Sequence, residues 1–353
     1  MKPNQASRTA EYMALFRALE NFRPSDVRLF EDRFALEFLT PSLRIVARMS
    51  RYPFFRFLIP WLIDQHWPGA RSSGIARTRF IDDALLKSLQ EGIQQVVILG
   101  AGFDCRAYRI PGIDRTRVYE VDHPNSLAAK RQRLKHVLGS LPQHVVFAEI
   151  DFNRQQLKDI LAASGFDPAR PSCFIWEGVT NYLTKQAVDA TFQFISTTAA
   201  GSQIIFTYVH QGVLEDSDEF EGTHNLMRLL QENDEPWTFG LFPSEITEYL
   251  MALRFQLLED LALSIIGRGT WGRTAGICMV TSFIGLHGRC SFFSIREGIS
   301  GTKRMRSTTR YAEGTTGLEV KGADDYWQNA CWRGRHRRIT GAPVARSAVP
   351  AVG

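Results

Sequence analysis

The run Val96-Val97-Ile98-Leu99-Gly100-Ala101-Gly102 constrains the fold more than any other part of the chain. Four branched apolar side chains without polar alternation read as a strand buried on both faces, the pattern of parallel strands in α/β sheets. The Gly-Ala-Gly that follows reads as a tight turn where the backbone can approach a ligand. A second strand, Arg117 to Val121, ends in Asp122. An acid there, ~20 residues past the glycines, is placed to accept hydrogen bonds from ribose hydroxyls. The two features together predict a site for a nucleoside cofactor. Cys105 stands where the dinucleotide fingerprint has its third glycine. That weakens a reading in which a pyrophosphate sits on a helix N-terminus.

The rest of the chain agrees with an α/β sheet. Apolar spacing predicts helix over residues 8–40, with Tyr12, Leu15, Phe16 and Leu19 on one face, and Phe30, Phe34, Leu36 and Phe38 after Pro24. Residues 43–66 continue as apolar helix or irregular cover, and Ser72 to Gln90 as helix. Strands at 95–100, 117–121, 144–150, 172–176 and 202–209 then alternate with helical segments near 103–108, at 126–138, 154–163 and 184–199. Such alternation implies a Rossmann-like doubly wound parallel sheet. Residues 211–240 read as an inserted cap, Ser244 opens another helix, and Phe255 to Leu258 reads as a late strand. The expected organisation is a helical lid over 1–71, a cofactor-binding domain over 72–260, and a divergent, basic, partly disordered tail over 261–353.

Charge separates the tail from the rest. Residues 261–353 hold 14 Lys+Arg and 5 Asp+Glu, leaving 28 basic and 32 acidic residues in 1–260. The overall +5 therefore belongs to the tail, and the core offers no broad basic face for nucleic acid. The 5 cysteines are scattered and form no C-x-x-C, so neither a zinc knuckle nor a disulfide framework is expected, and no metal site. The start MKPNQASRTAEY lacks an apolar signal core, and the most apolar stretch, Pro53 to Ile63, is broken by Arg56 and Pro60. A cytoplasmic protein without a membrane span is the expectation.

In an open α/β sheet, ligands bind at the carboxyl ends of the strands. Four of those ends carry polar groups: Gly100 and Gly102 with Asp104, Glu120 with Asp122, Asp151 with Phe152, and Glu177 with Gly178. The placement suits adenosine. Asp122 takes the ribose, Asp151 accepts from the adenine amino group, Phe152 packs on the ring, and Glu177 faces the amino-acid end or the reaction centre. No G-x-x-x-x-G-K-[ST] is present to hold a phosphate. Adenosine without phosphate points to S-adenosyl-L-methionine.

The segments SSGIARTRFIDD (72–83), VVILGAGFDCRAYRI (96–110), VYEVDHP (118–124), EIDF (149–152) and WEGVTNYLT (176–184) occur in an order and spacing that resembles the leucine carboxyl methyltransferase-like family of class I S-adenosylmethionine-dependent methyltransferases. The resemblance spans about Arg8 to Asp260. It implies O-methyl transfer to a carboxyl or hydroxyl group of a small molecule. It also implies that Arg77 pairs with the cofactor carboxylate, a bidentate role suited to guanidinium. Gly100, Asp122, Asp151, Phe152 and Glu177 would line the cofactor pocket. Past Leu261 the chain departs from the family's ending, where a further strand pair completes the sheet; this could leave the sheet edge incomplete, although Ile265, Ile266, Ile277, Met279, Val280 and Phe283 could still cover it.

A carboxylate acceptor is already ionised, whereas a hydroxyl needs a base. Tyr182, His210 and His224 are candidates by position alone. Arg106 and Arg109 are expected to pair with nearby acids, Cys105 to be a small core residue, and His123 to fix a turn. The aromatic run Tyr52 to Trp61 reads as a lid or core packing, with a membrane-surface or partner contact as the alternative. Two other functional readings stand beside methyl transfer: an NAD(P)-dependent Rossmann oxidoreductase, and a cofactor-binding but catalytically impaired protein.

Overall fold

The computed structural model describes residues 8–67, 69–152, 154–215, 227–228, 230–231, 236–263 and 277–283. Helices α1 (Arg8–Glu20), α2 (Pro41–Met49), α3 (Pro53–His66) and α4 (Ala70–Gln90) precede the sheet. Then come β1 (Gln95–Leu99), α5 (Arg106–Arg109), β2 (Arg117–Asp122), α6 (Pro124–Leu138), β3 (Val145–Glu149) and α7 (Leu157–Ala163). They are followed by β4 (Ser172–Trp176), α8 (Lys185–Ile195), β5 (Gln203–Val209), α9 (Gly212–Glu215), α10 (Ile246–Ala252), β6 (Gln256–Leu263) and β7 (Ile277–Phe283).

The sheet runs β3-β2-β1-β4-β5-β7-β6. The first five strands are parallel, and β7 pairs antiparallel with both β5 and β6. The order reverses between β1 and β4, which opens a crevice beyond their carboxyl ends. Because side chains alternate along a strand, each parallel strand feeds two cores. Val96, Ile98, Val118, Cys173, Ile175 and Ile205 join the core built with α1 and α4 around Phe34, Phe38, Ile81 and Leu85. Val97, Leu99, Val121, Phe174, Trp176 and Phe206 join the opposite core, where Phe192 meets Trp176, Phe206 and Phe255 edge-on.

Several expectations need correction. The segment 8–40 is not continuous helix: α1 stops at Glu20, and only a short 3-10 turn, Ala35–Phe38, follows. Local side-chain bonds compete with the helix there. Asp32 accepts from the Phe34 and Ala35 N–H groups, and Asn21 bonds both the N–H and the carbonyl of Asp32. The boundary expected at 261 falls inside β6, and β7 lies beyond it. The strand Ile-Cys-Met-Val-Thr-Ser-Phe fills the place between β5 and β6, the late strand expected at 255–258, so residues past 261 complete the sheet edge. The remainder of that tail, 264–276 and 284–353, lies outside the described residues, as does most of the expected cap, His224 included. Among the described residues no helix is long and apolar enough to cross a membrane.

Candidate functional site

The β1 carboxyl end turns through Gly100 and Gly102, both with positive φ (66° and 33°). Gly100 is also sterically required: a Cβ there would lie 2.3 Å from Val179 Cγ2. The turn is tied to β2, with the Gly100 and Ala101 N–H groups both donating to the Val121 carbonyl. Asp122 closes the arrangement. Its Oδ2 accepts from Gly102 N–H at 2.6 Å and its Oδ1 from His123 N–H at 2.6 Å. Burial raises the Asp122 pKa, and these two N–H donors pull against it. A carboxylate offers about four lone-pair sites, so two bonds to backbone leave acceptor capacity for a diol. His123 Nδ1 in turn accepts from Asn125 N–H and caps α6, the turn-fixing role expected of it.

Behind the glycine turn stands a pair that motif reading missed. Lys130 and Glu120, each with 0% side-chain exposure, meet at 2.9 Å. Lys130 Nζ also donates to the Ala101 carbonyl at 3.1 Å, pinning the turn from below. Burial raises the Glu120 pKa to about 7 despite Lys130 and Tyr108. The signal lay in α6, where Lys130 falls on the buried face between Leu127 and Leu134. A charge on a core-facing stripe needs a buried partner.

The β4 end carries Glu177, and a buried ionic network surrounds it. Arg106 Nη1 donates to Glu177 Oε2 at 2.6 Å and also binds Asp104, while its Nε donates to Asp82 at 2.8 Å. Arg109 donates to both Asp82 oxygens, and Arg17 bonds Asp32 and the Phe103 carbonyl. Arg77 Nε donates to Glu177 Oε1 at 2.7 Å. Four arginines thus face four acids. Burial alone would raise the Glu177 pKa, but Arg106 and Arg77 outweigh it and hold it at about 2. Asp104 is likewise lowered, with Arg106 and Lys130 overcoming its burial.

This geometry brings most of the expected residues to one rim. Gly100, Gly102, Asp122, Glu177 and Arg77 sit on consecutive strand ends and on the helix packed against them. Arg106 and Arg109 are committed to acids, as expected, and Cys105 is buried in the core. Asp151 lies past β3 in a turn, with its N–H on Gln155 and its carboxylate 3.6 Å from Arg154, and Phe152 packs partly buried on the second core. Tyr182 sits in the 3-10 turn after β4. His210 Nδ1 accepts from Gly212 N–H at 3.1 Å, and burial lowers its pKa despite Glu215. A neutral imidazole that accepts at Nδ1 carries its proton on Nε2.

The rim fits S-adenosylmethionine on two observations. Its amino-acid end is a zwitterion, which leaves a network of four arginines and four acids balanced. A Cβ on Gly178 would meet Arg77 Nη2 at 3.8 Å and one on Gly102 would meet Asp122 Oδ2 at 3.9 Å, so the two glycines keep side chains out of the space beside these groups.

The chain is similar to known proteins. The family model for leucine carboxyl methyltransferase matches residues 10–196. A Frankia alni protein named as a candidate S-adenosyl-L-methionine-dependent methyltransferase is 32% identical over 250 residues, covering 68% of this chain and 83% of the relative. A similarly named Mycolicibacterium gilvum protein is 39% identical over 142 residues, 39% of this chain and 45% of that one. The crystal structure of a candidate methyltransferase from Thermobifida fusca, 20% identical, aligns with a TM-score of 0.47 over 76% of this chain and 97% of its own.

Proposed function

Because the chain belongs to the leucine carboxyl methyltransferase family, we propose that it methylates a carboxylate oxygen of a small molecule, with Asp122 and Arg77 holding the cofactor. The chain is an S-adenosylmethionine-dependent methyltransferase, not a nicotinamide oxidoreductase. When bound, the cofactor supplies a methyl group on a sulfonium, whose departure leaves a neutral thioether.

The protein's own work is then alignment and exclusion of water. Asp122 accepts from the ribose diol while Gly102 and His123 N–H groups fix its rotamer. Arg77 holds the cofactor carboxylate with its terminal nitrogens, and Glu177 orients it through Nε. Asp151 and Phe152 take the adenine edge and face. Thr207 steadies the β4 end by accepting from Gly178 N–H at 2.8 Å through its hydroxyl oxygen.

The preference for a carboxylate rests on the family match, whose model is described as leucine carboxyl methyltransferase. An acceptor that arrives ionised needs no base, so alignment with the methyl group is the main demand on the site. The test is methyl transfer from methyl-labelled cofactor to a panel of carboxylic acids, phenols and alcohols, followed by alkali. Methanol released by alkali identifies an ester and supports the reading. An alkali-stable methyl ether as the main product contradicts it.

A further inference from the structure

The helix α3, Pro-Phe-Phe-Arg-Phe-Leu-Ile-Pro-Trp-Leu-Ile-Asp-Gln-His, is apolar around nearly its whole circumference. Ile59 is buried, and Phe55 and Ile63 pack against the core with it. The opposite face has nothing over it among the described residues: Phe54 is 68% and Phe57 75% exposed, with Trp61 and Leu62 also exposed. Tyr52 and Ile45, from the preceding turn and α2, are exposed too. Six of the nine exposed large apolar side chains in the described chain therefore lie between residues 45 and 62. A helix that is apolar all round belongs between two apolar media, and contiguous exposed patches of this kind mark contact surfaces.

Charge selects the medium. Residues 41–67 contain Arg44, Arg48, Arg51 and Arg56 against a single acid, Asp64; Arg44 pairs with Glu37 at 3.2 Å, which leaves Arg48, Arg51 and Arg56 for an outside partner. Asp64 is already taken by Arg71 at 2.6 Å. The hairpin is thus basic within residues 1–260, which are acidic overall. A second copy would set one basic hairpin against another. An anionic lipid surface satisfies both properties: aromatic and aliphatic side chains enter the acyl boundary while arginines meet the headgroups. Trp61 and Tyr52 are the residue types that favour that depth.

We propose that the α2–α3 hairpin docks this protein on anionic lipid bilayers, through Phe54, Phe57 and Trp61 with Arg48 and Arg51 at the headgroups. The contact is interfacial and independent of the methyl acceptor, so it stands or falls apart from the reaction assigned above.

The test uses the full chain and co-sedimentation with vesicles of phosphatidylglycerol and phosphatidylcholine, or of phosphatidylcholine alone. Binding to the anionic vesicles that weakens with salt is expected. Phe57→Ser/Trp61→Ser should lower partitioning at least about tenfold, since each buried aromatic is worth about a factor of ten or more. Arg48→Ser/Arg51→Ser should weaken binding to anionic vesicles and leave the thermal melt unchanged. Equal binding by the wild type and the Phe57→Ser/Trp61→Ser variant would assign any lipid contact to the basic segment 261–353 and overturn the proposal. So would failure to bind either vesicle. A concentration-dependent dimer, seen by sedimentation velocity and abolished by the same variant without lipid binding, would replace the bilayer with a second copy.

Discussion

Replacing Glu177 by Gln tests the buried network quantitatively. Glu177 accepts from Arg106 and Arg77 at 2.6 and 2.7 Å, and its side chain is 16% exposed. Its pKa falls from 4.5 to about 2 because the two guanidinium groups outweigh burial. A fall of that size corresponds to about 3 kcal/mol of folded-state stabilisation, which matches the ~3–5 kcal/mol lost on breaking a buried pair. The sign follows from the depression. The stabilisation is complete above the unfolded pKa and is lost as pH falls through the folded one. At pH 7, Glu177→Gln should therefore cost about 3 kcal/mol in urea unfolding, and at pH 3 the gap should shrink by about 2 kcal/mol. A gap under about 1 kcal/mol at pH 7, or one that is the same at both pH values, would refute the assignment of Glu177 to an ionised, doubly paired state.

Gly100→Ala should lower stability by about 2–5 kcal/mol, combining left-handed strain with overpacking. The double variant Gly100→Ala/Val179→Ala should recover only the overpacking part in the same unfolding assay, because the contact is with Val179 and the φ of 66° remains. Lys130→Met should cost about 3 kcal/mol at pH 8 and less at pH 5, because below about 7 the Glu120 carboxyl is protonated in both proteins. Equal losses at the two pH values would show that Glu120 is not charged against Lys130. A chain ending at residue 289 should keep its cooperative melt, whereas one ending at residue 263 should lose it, since β7 joins β5 to β6; equal melts would remove β7 from the sheet.

The parallel sheet was readable in the sequence because its strands are short apolar runs separated by helical periodicity. Each of the five lies within a residue or two of its expected place. The strand-end motif was readable for the same reason: glycine and acid follow directly from runs such as Val96–Leu99 and Val118–Val121. What escaped was long-range. Nothing local tells that Asp82 on α4 meets Arg106 and Arg109, or that Arg17 reaches Asp32 and the Phe103 carbonyl. Helix spacing alone could not separate α1 from 21–34, where Asp32 and Asn21 side chains capture the backbone. The apolar residues of β7, Ile277, Met279, Val280 and Phe283, were legible as cover for a sheet edge, but not their place between β5 and β6, because the glycine-rich flanks and the tail's composition resemble disorder. Lys130 left a trace, a charge between two buried leucines, that motif reading passed over.

The central claim is that the rim formed by Gly100, Gly102, Asp122 and Arg77 is where this methyltransferase holds its cofactor. Isothermal titration of S-adenosylhomocysteine into the wild type and Asp122→Ala, with NAD as the control ligand, tests it most directly. The account predicts binding to the wild type and none of NAD. It predicts an affinity lower by about 10- to 150-fold in Asp122→Ala, the equivalent of losing charge-assisted bonds worth ~1.5–3 kcal/mol. An Asp122→Ala variant that melts like the wild type and binds S-adenosylhomocysteine with the same affinity would contradict it.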